Sequence, residues 1–122
     1  MSIRWIEYKG SKILFTDYSG SNSVEDSLKI LDEDIATVKA SLGNILSLVN
    51  YDNMTPSLPY VTKVKEYGKE IRAYKVKKTA LYGITSAKAV FVKGYLLFTG
   101  EKNLEVFETE LEAKEWLIKN DD

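Results

Sequence analysis

The segment Ile45-Leu46-Ser47-Leu48-Val49 constrains the fold of this 122-residue chain more than any other segment. Nearly continuous apolar runs of this length are typical of strands that are buried on both faces of a sheet. Such a strand needs helices to cover it, and the segment before it predicts one. The apolar residues of that segment follow helical spacing at Val24, Leu28, Leu31, Ile35 and Val38. The two segments together predict an α/β fold.

The segments before this pair predict an antiparallel start. Residues 3–8 and 12–18 are rich in aromatic and β-branched residues and are joined by Lys9-Gly10-Ser11, which favours a β-hairpin. Ser23 is expected to cap the first helix, and Gly43 is expected to end it.

A second helix is expected to begin at Thr55 and Pro56, since Thr is a common cap and Pro is tolerated at the first helical position. It would run to about Arg72. Its buried stripe would consist of Val61, Val64, Gly68 and Ile71.

The C-terminal half continues the alternation of strands and helices. Residues 79–82 and 104–107 read as strands, and Thr109 is expected to cap a last helix. Between them, a third helix ends near Gly100, and its apolar positions are Ala87, Val90, Phe91, Gly94, Leu97 and Phe98.

This order predicts a single α/β domain spanning 1–122. We expect a mostly parallel sheet of four to five strands, with an antiparallel N-terminal hairpin and about four helices.

The residue types that the chain lacks exclude several classes of function. It has no Cys and no His, which removes thiol nucleophiles, imidazole bases and the metal sites built on them. We therefore predict a non-enzymatic protein with no catalytic residues, no metal and no cofactor. The net charge of −1 argues against a nucleic-acid partner. Because no apolar run has the length of a signal peptide or a membrane span, we expect a cytoplasmic protein.

The charges are unevenly distributed, because residues 63–93 contain nine basic and two acidic residues. This stretch could attract an acidic partner, an anionic lipid or a nucleic acid. The alternative is a solvated helix face together with an exposed strand edge, where Lys is common.

Four short motifs lie at the predicted junctions of strands and helices. They are residues 15–20 (FTDYSG), residues 54–56 (MTP), residues 78–85 (KTALYGIT), and residues 98–100 (FTG) followed by 107–117. Together they resemble the small bacterial STAS/SpoIIAA-like domains, which are related in fold to anti-sigma-factor antagonists. The resemblance covers residues 13–117.

In signalling members of this family, a phosphorylated Ser or Thr opens the helix after a central strand and switches partner binding. The equivalent stretch, residues 50–57, contains Thr55 and Ser57 but lacks the Asp-Ser-Ser-Gly-like motif of those members. The resemblance makes these two residues candidate phosphorylation sites.

Polar loop residues are expected at the carboxyl ends of the strands, where open α/β folds bind ligands. Helix N–H groups beside Thr55 and Thr85 could hold an anion. The alternative is that these residues only cap helices and tighten turns. The candidate ligand residues are Asp17, Ser19, Thr55, Thr85 and Ser86.

Tyr60, Tyr67 and Tyr74 recur every seven residues and would form one stripe on a continuous helix. If that stripe is exposed, Tyr60 and Tyr67 form an interface together with Lys63. Otherwise these tyrosines flank the core with their hydroxyls in water.

The function that we predict is a STAS-like protein-interaction or regulatory module. It would present residues 53–67 to a protein partner or to a second copy in a homodimer. The alternative is a domain that binds or senses a small anionic or lipid-like ligand.

Overall fold

The computed structural model describes residues 2–21 and 23–119. In this part of the chain, five strands form one sheet in the order β1-β2-β3-β4-β5. The first two strands are antiparallel and all other neighbours are parallel, which confirms the predicted fold class. The strands are β1 Ile3–Tyr8, β2 Ser11–Asp17, β3 Ile45–Asn50, β4 Val76–Tyr82 and β5 Leu104–Phe107.

Helices connect the parallel strands. They are α1 Val24–Ala40, α2 Leu58–Tyr67, α3 Ala73–Lys75, α4 Ser86–Thr99 and α5 Glu110–Ile118. A single π-helical turn, Gly68–Arg72, joins α2 to the short α3, and we call it the π-turn. Within residues 2–21 and 23–119, no helix is long and apolar enough to cross a lipid bilayer.

Helix ends follow the local rules that the sequence analysis used. The Ser23 hydroxyl accepts a hydrogen bond from the Asp26 N–H at 3.1 Å, and Thr109 caps α5 in the same way. Gly100 ends α4 in a left-handed conformation with φ of +67°. These three predictions are confirmed. Helix α1 ends earlier than predicted, because Ser41 is its C-cap and Gly43 takes a positive φ two residues later.

The two faces of the sheet carry separate apolar clusters, because side chains alternate along each strand. Helices α1, α2 and α4 cover one face around Leu14, Val49 and Leu81. Helix α5 covers the other face, where Ala113 and Leu117 pack on residues of the three central strands. The protein therefore has three layers, with the sheet in the middle.

The predicted start of the second helix is wrong by two residues. Ser57, and not Thr55, is the N-cap of α2, and its hydroxyl accepts a hydrogen bond from the Tyr60 N–H at 3.3 Å. The sequence offers two cap-and-proline combinations here, and Pro59 rather than Pro56 lies in the first turn. This start lets both Met54 and Tyr60 enter the core.

The expectation that the basic stretch includes a strand edge is also wrong. Strand β4, which carries Lys77 and Lys78, lies between β3 and β5. The edges of the sheet are β1 and β5.

Candidate functional site

Asp17 lies at the carboxyl end of β2 and organises the loop that follows. Its Oδ1 accepts hydrogen bonds from the Ser19 N–H at 3.0 Å and from the Asn50 side chain at 3.2 Å. This is the local turn geometry expected of Asp. Three carboxylates, those of Asp17, Asp26 and Glu33, line the cleft beside this loop. Lys29 is the one basic residue among the described residues that line it. The excess of carboxylates disfavours an anionic ligand there.

Thr85 and Ser86 lie at a different cleft, at the N-terminus of α4. Thr85 is the N-cap by position, but its side chain makes no capping hydrogen bond to the described residues. Lys88, in the first turn, is buried, and its ammonium group donates to the carbonyl oxygens of Tyr51 and Gly83. Lys88 thereby fixes the β3–α2 and β4–α4 loops to α4.

The two candidate phosphorylation sites differ in their surroundings. Thr55 is exposed in the loop after β3. Ser57 is half-buried and its hydroxyl already serves as the cap of α2. The cleft at Thr85 is lined by Asp52, Asn53 and Glu108, among other residues, and does not include Thr55. The described structure therefore does not bring Asp17, Thr55 and Thr85 together into one site.

Two of the predicted interface residues lie inside the protein. Tyr60 and Tyr67 are buried, so neither side chain can contact a partner at the surface. Burial of a tyrosine is tolerated when its hydroxyl is hydrogen-bonded. The Tyr60 hydroxyl is 2.7 Å from that of Tyr51, and Tyr67 donates to Asp34 Oδ1 at 3.2 Å. Of the predicted set only Lys63 reaches the surface; it is half-buried and pairs with Asp32 of α1.

The buried tyrosines surround a small internal space, which we call the core cavity. The rings of Tyr18 and Tyr51 stack at 5.2 Å, and Tyr60 meets Tyr18 edge-on at 5.3 Å. The cavity encloses about 30 Å³. Since a water molecule needs roughly 10–15 Å³ of such space, it is large enough for about two. Burial raises the pKa of Tyr51 to about 12.

Arg72 is the charged group at the core cavity. It ends the π-turn, is buried, and donates a hydrogen bond to the Thr79 hydroxyl of β4. Its guanidinium nitrogens lie 3.9 Å from Asp34 Oδ2 and 3.8 Å from Glu101 Oε1. Burial raises the pKa of Asp34, although Arg72 and the Tyr67 hydroxyl oppose this effect. The sequence patterns do not point to Arg72 or Glu101 as site residues.

Most of the basic stretch bonds to the protein itself. Lys75 donates to the carbonyls of Lys39 and Ser41 at the end of α1, at 2.7 and 2.8 Å. Lys78 donates to the carbonyls of Trp116 and Lys119 at the end of α5, at 3.0 and 2.8 Å. Cations are favourable at helix C-termini, where carbonyl groups lack intrahelical partners. Lys75 thus links α3 to α1, and Lys78 links β4 to α5.

An apolar surface remains at the outer edge of the sheet. Val90 and Lys93 of α4 lie beside Val106 of β5, and Leu97 lies two turns from Val90 on the same side of α4. We call these four residues the α4–β5 surface. The exposed fractions of Val90 and Leu97 are 74% and 85%. A groove of about 330 Å³ runs between α4 and β5 and is lined by Ile84, Ala89, Val90, Val92, Lys93, Leu96 and Val106.

The apolar spacing of α4 predicts a different buried face. It predicts a stripe that includes Val90, Leu97 and Phe98, whereas the buried residues of α4 are Lys88, Val92 and Tyr95. The signal was present, because apolar residues occur on every side of α4 and one stripe cannot bury them all.

Comparison with known proteins gives no relative: no family model, curated protein or solved structure matches this chain. The STAS/SpoIIAA-like resemblance stays a prediction.

Proposed function

We propose that this chain is a non-enzymatic, STAS-like interaction module of the bacterial cytoplasm, and that its protein partner binds the α4–β5 surface. This replaces residues 53–67 as the proposed binding segment, because Tyr60 and Tyr67 lie in the core. Phosphorylation of Thr55, which is exposed, stays part of the proposal as a regulatory event.

The exposure of Val90 and Leu97 supports this proposal most directly. Single exposed apolar residues are ordinary on protein surfaces, but contiguous apolar patches mark interaction sites. Here Val90 and Leu97 lie two turns apart on the same side of α4. Val90 lines a groove together with the exposed Val106. Phe98, at the end of the same helix, is half-exposed and lies 5.3 Å from the Lys69 ammonium group.

Site-specific photo-cross-linking in the native host tests the proposal. A benzophenone amino acid would replace Leu97, and a matched protein would carry it at Leu111 of α5, which is also apolar and 62% exposed. We expect an adduct with a defined protein chain at position 97 and no such adduct at position 111. Equal labelling at both positions, or none at either, would contradict the proposal.

A second candidate function is the binding of a small ligand in the core cavity. Its support is the combination of four tyrosines with a buried Arg72 around one internal space. The cavity is small, so a ligand would have to displace Phe91, which lines it and is only half-buried. Binding to the native state raises thermal stability by mass action, so a ligand that raises the melting temperature of the wild type, and less that of Tyr51→Phe, would favour this function.

A further inference from the structure

Strand β5 has a free outer edge, because among the described strands it pairs only with β4. The Thr79 N–H donates to the Asn103 carbonyl at 2.8 Å, so the polar groups of residue 103 face β4. Backbone groups alternate in direction along a strand. The N–H and C=O groups of Leu104 and Val106 therefore point away from the sheet, where another strand can pair with them.

We infer that the occupant of this edge is a second copy of the same chain, with β5 pairing antiparallel to its own copy. This inference rests on the proposed function and names the partner of the α4–β5 surface. A two-fold axis perpendicular to the sheet would place both α4 helices on the same face of one continuous sheet. Val90 and Leu97 of the two copies would then cover each other across the axis.

The sequence of β5 selects the register of this pairing. Residues directly opposite each other across antiparallel strands lie on the same face, so the axis must lie midway between the two copies of one residue. Centring on Glu105 would place two carboxylates face to face, which is destabilising. Centring on Val106 pairs two β-branched apolar residues and lets the outward N–H and C=O groups of Val106 bond reciprocally.

Charge complementarity also favours a second copy. In the Val106-centred register, Glu108 of one copy lies opposite Leu104 of the other. Leu104 packs against the cluster under α4, so Glu108, the residue after β5, would approach the face that carries α4 and its exposed Lys93. Lys93 of each copy would thus face Glu108 of the other, and the two-fold symmetry gives two such pairs of opposite charge. The net charge of −1 per chain adds little repulsion between the copies.

Sedimentation velocity of the full chain over a range of concentrations tests this inference. We expect the wild type to form a species of twice the 13.8 kDa chain mass. Val106→Pro removes an outward-pointing N–H and no bond to β4, since Pro is compatible with edge strands, and it should abolish the dimer. Val106→Thr keeps both the N–H and the β-branched shape and should remain dimeric. Circular dichroism would confirm that both variants fold.

A charge exchange makes the test independent of Val106. Lys93→Glu and Glu108→Lys should each weaken the dimer by about tenfold, and the double variant should restore most of the affinity. Failure of the double variant to recover, or a Val106→Pro protein that still dimerises, would overturn the inference.

The experiment separates this inference from the proposed function. A wild type that stays at the mass of one chain, while position 97 cross-links to a different protein, would overturn self-association and leave the proposed function standing. A wild type that stays monomeric and gives no adduct at position 97 would overturn both.

Discussion

At the residue scale, the Arg72 guanidinium lies between Asp34 and Glu101 at distances just beyond hydrogen-bond length. Buried ion pairs add little net stability, because desolvation of the charges offsets their attraction. Removing only one partner of such a pair destabilises the protein, since the remaining buried charge is left unpaired. We interpret this cluster as fixing the π-turn against β4 and the end of α4.

The raised pKa of Asp34 gives a testable pH dependence. In the folded state Asp34 holds its proton to a higher pH than its ordinary value of 3.8. The folded protein thus binds more protons than the unfolded chain just above pH 3.8, so this group makes stability fall as pH rises through that window. Asp34→Asn removes the effect.

Urea unfolding of the wild type and of Asp34→Asn at several pH values above 3.8 measures this dependence. The unfolding free energy of the wild type minus that of Asp34→Asn should decrease as pH rises. The Lys114 ammonium group lowers the pKa of Glu110, so Glu110 makes stability rise with pH. Both proteins contain Glu110, so its contribution cancels in the difference. A difference that rises with pH would contradict the prediction.

At the element scale, glycines in two helical segments have opposite surroundings. A Cβ on Gly68, in the π-turn, would lie 2.3 Å from the Tyr95 hydroxyl oxygen, 2.8 Å from its Cζ and 3.0 Å from Thr99 Cγ2. A Cβ on Gly94, in α4, would meet only Lys65 Nζ at 3.9 Å. The close approach of the π-turn to α4 therefore requires glycine at 68 but not at 94.

Alanine at these two positions should shift stability in opposite directions. Gly68→Ala should destabilise the protein by about 1–3 kcal/mol through overpacking. Gly94→Ala should stabilise it by about 0.5–1 kcal/mol, because glycine is unfavourable within a helix. Chemical denaturation measures both. Equal effects of the two substitutions would show that the π-turn is not packed against Tyr95 as described.

The attachment of α5 to the sheet gives a second prediction at this scale. Lys78→Met keeps the length of the side chain but removes its hydrogen bonds to the Trp116 and Lys119 carbonyls. We expect a loss of about 1–3 kcal/mol, since hydrogen bonds from charged groups are strong. Amide hydrogen exchange should rise most in α5. The control is Lys77→Met, at the exposed neighbouring position, which should change neither quantity.

At the scale of the whole molecule, the sheet separates two apolar clusters that do not share side chains. Ile45 belongs to the cluster under α1, α2 and α4, and Ile13 belongs to the cluster under α5. Each side chain is buried, so each Ile→Val substitution removes one methylene from a packed core.

These two substitutions should therefore be additive. Ile13→Val and Ile45→Val should each cost about 0.5–1.5 kcal/mol. The double variant should equal their sum to within about 0.5 kcal/mol, because the sites lie on opposite faces. Denaturant unfolding of the four proteins measures the coupling. A coupling well above that limit would indicate one continuous core.

The sequence by itself determined the order of the elements and most of their ends. Ser23, Gly100 and Thr109 act through backbone groups within a few residues, so local chemistry suffices to predict them. The run Ile45–Val49 likewise required a covered, central strand wherever the helices were placed.

Only the tertiary structure decided which side chains face inward. The sequence predicted Thr55 as the cap of the second helix, whereas the structure places the cap at Ser57 and Tyr60 in the core. The faces of α4, the central position of β4 and the enclosure of Arg72 depend on contacts between residues distant in the chain. Apolar periodicity indicates that a helix has an apolar side. Residues elsewhere in the sequence determine whether that side packs against the core or stays at the surface.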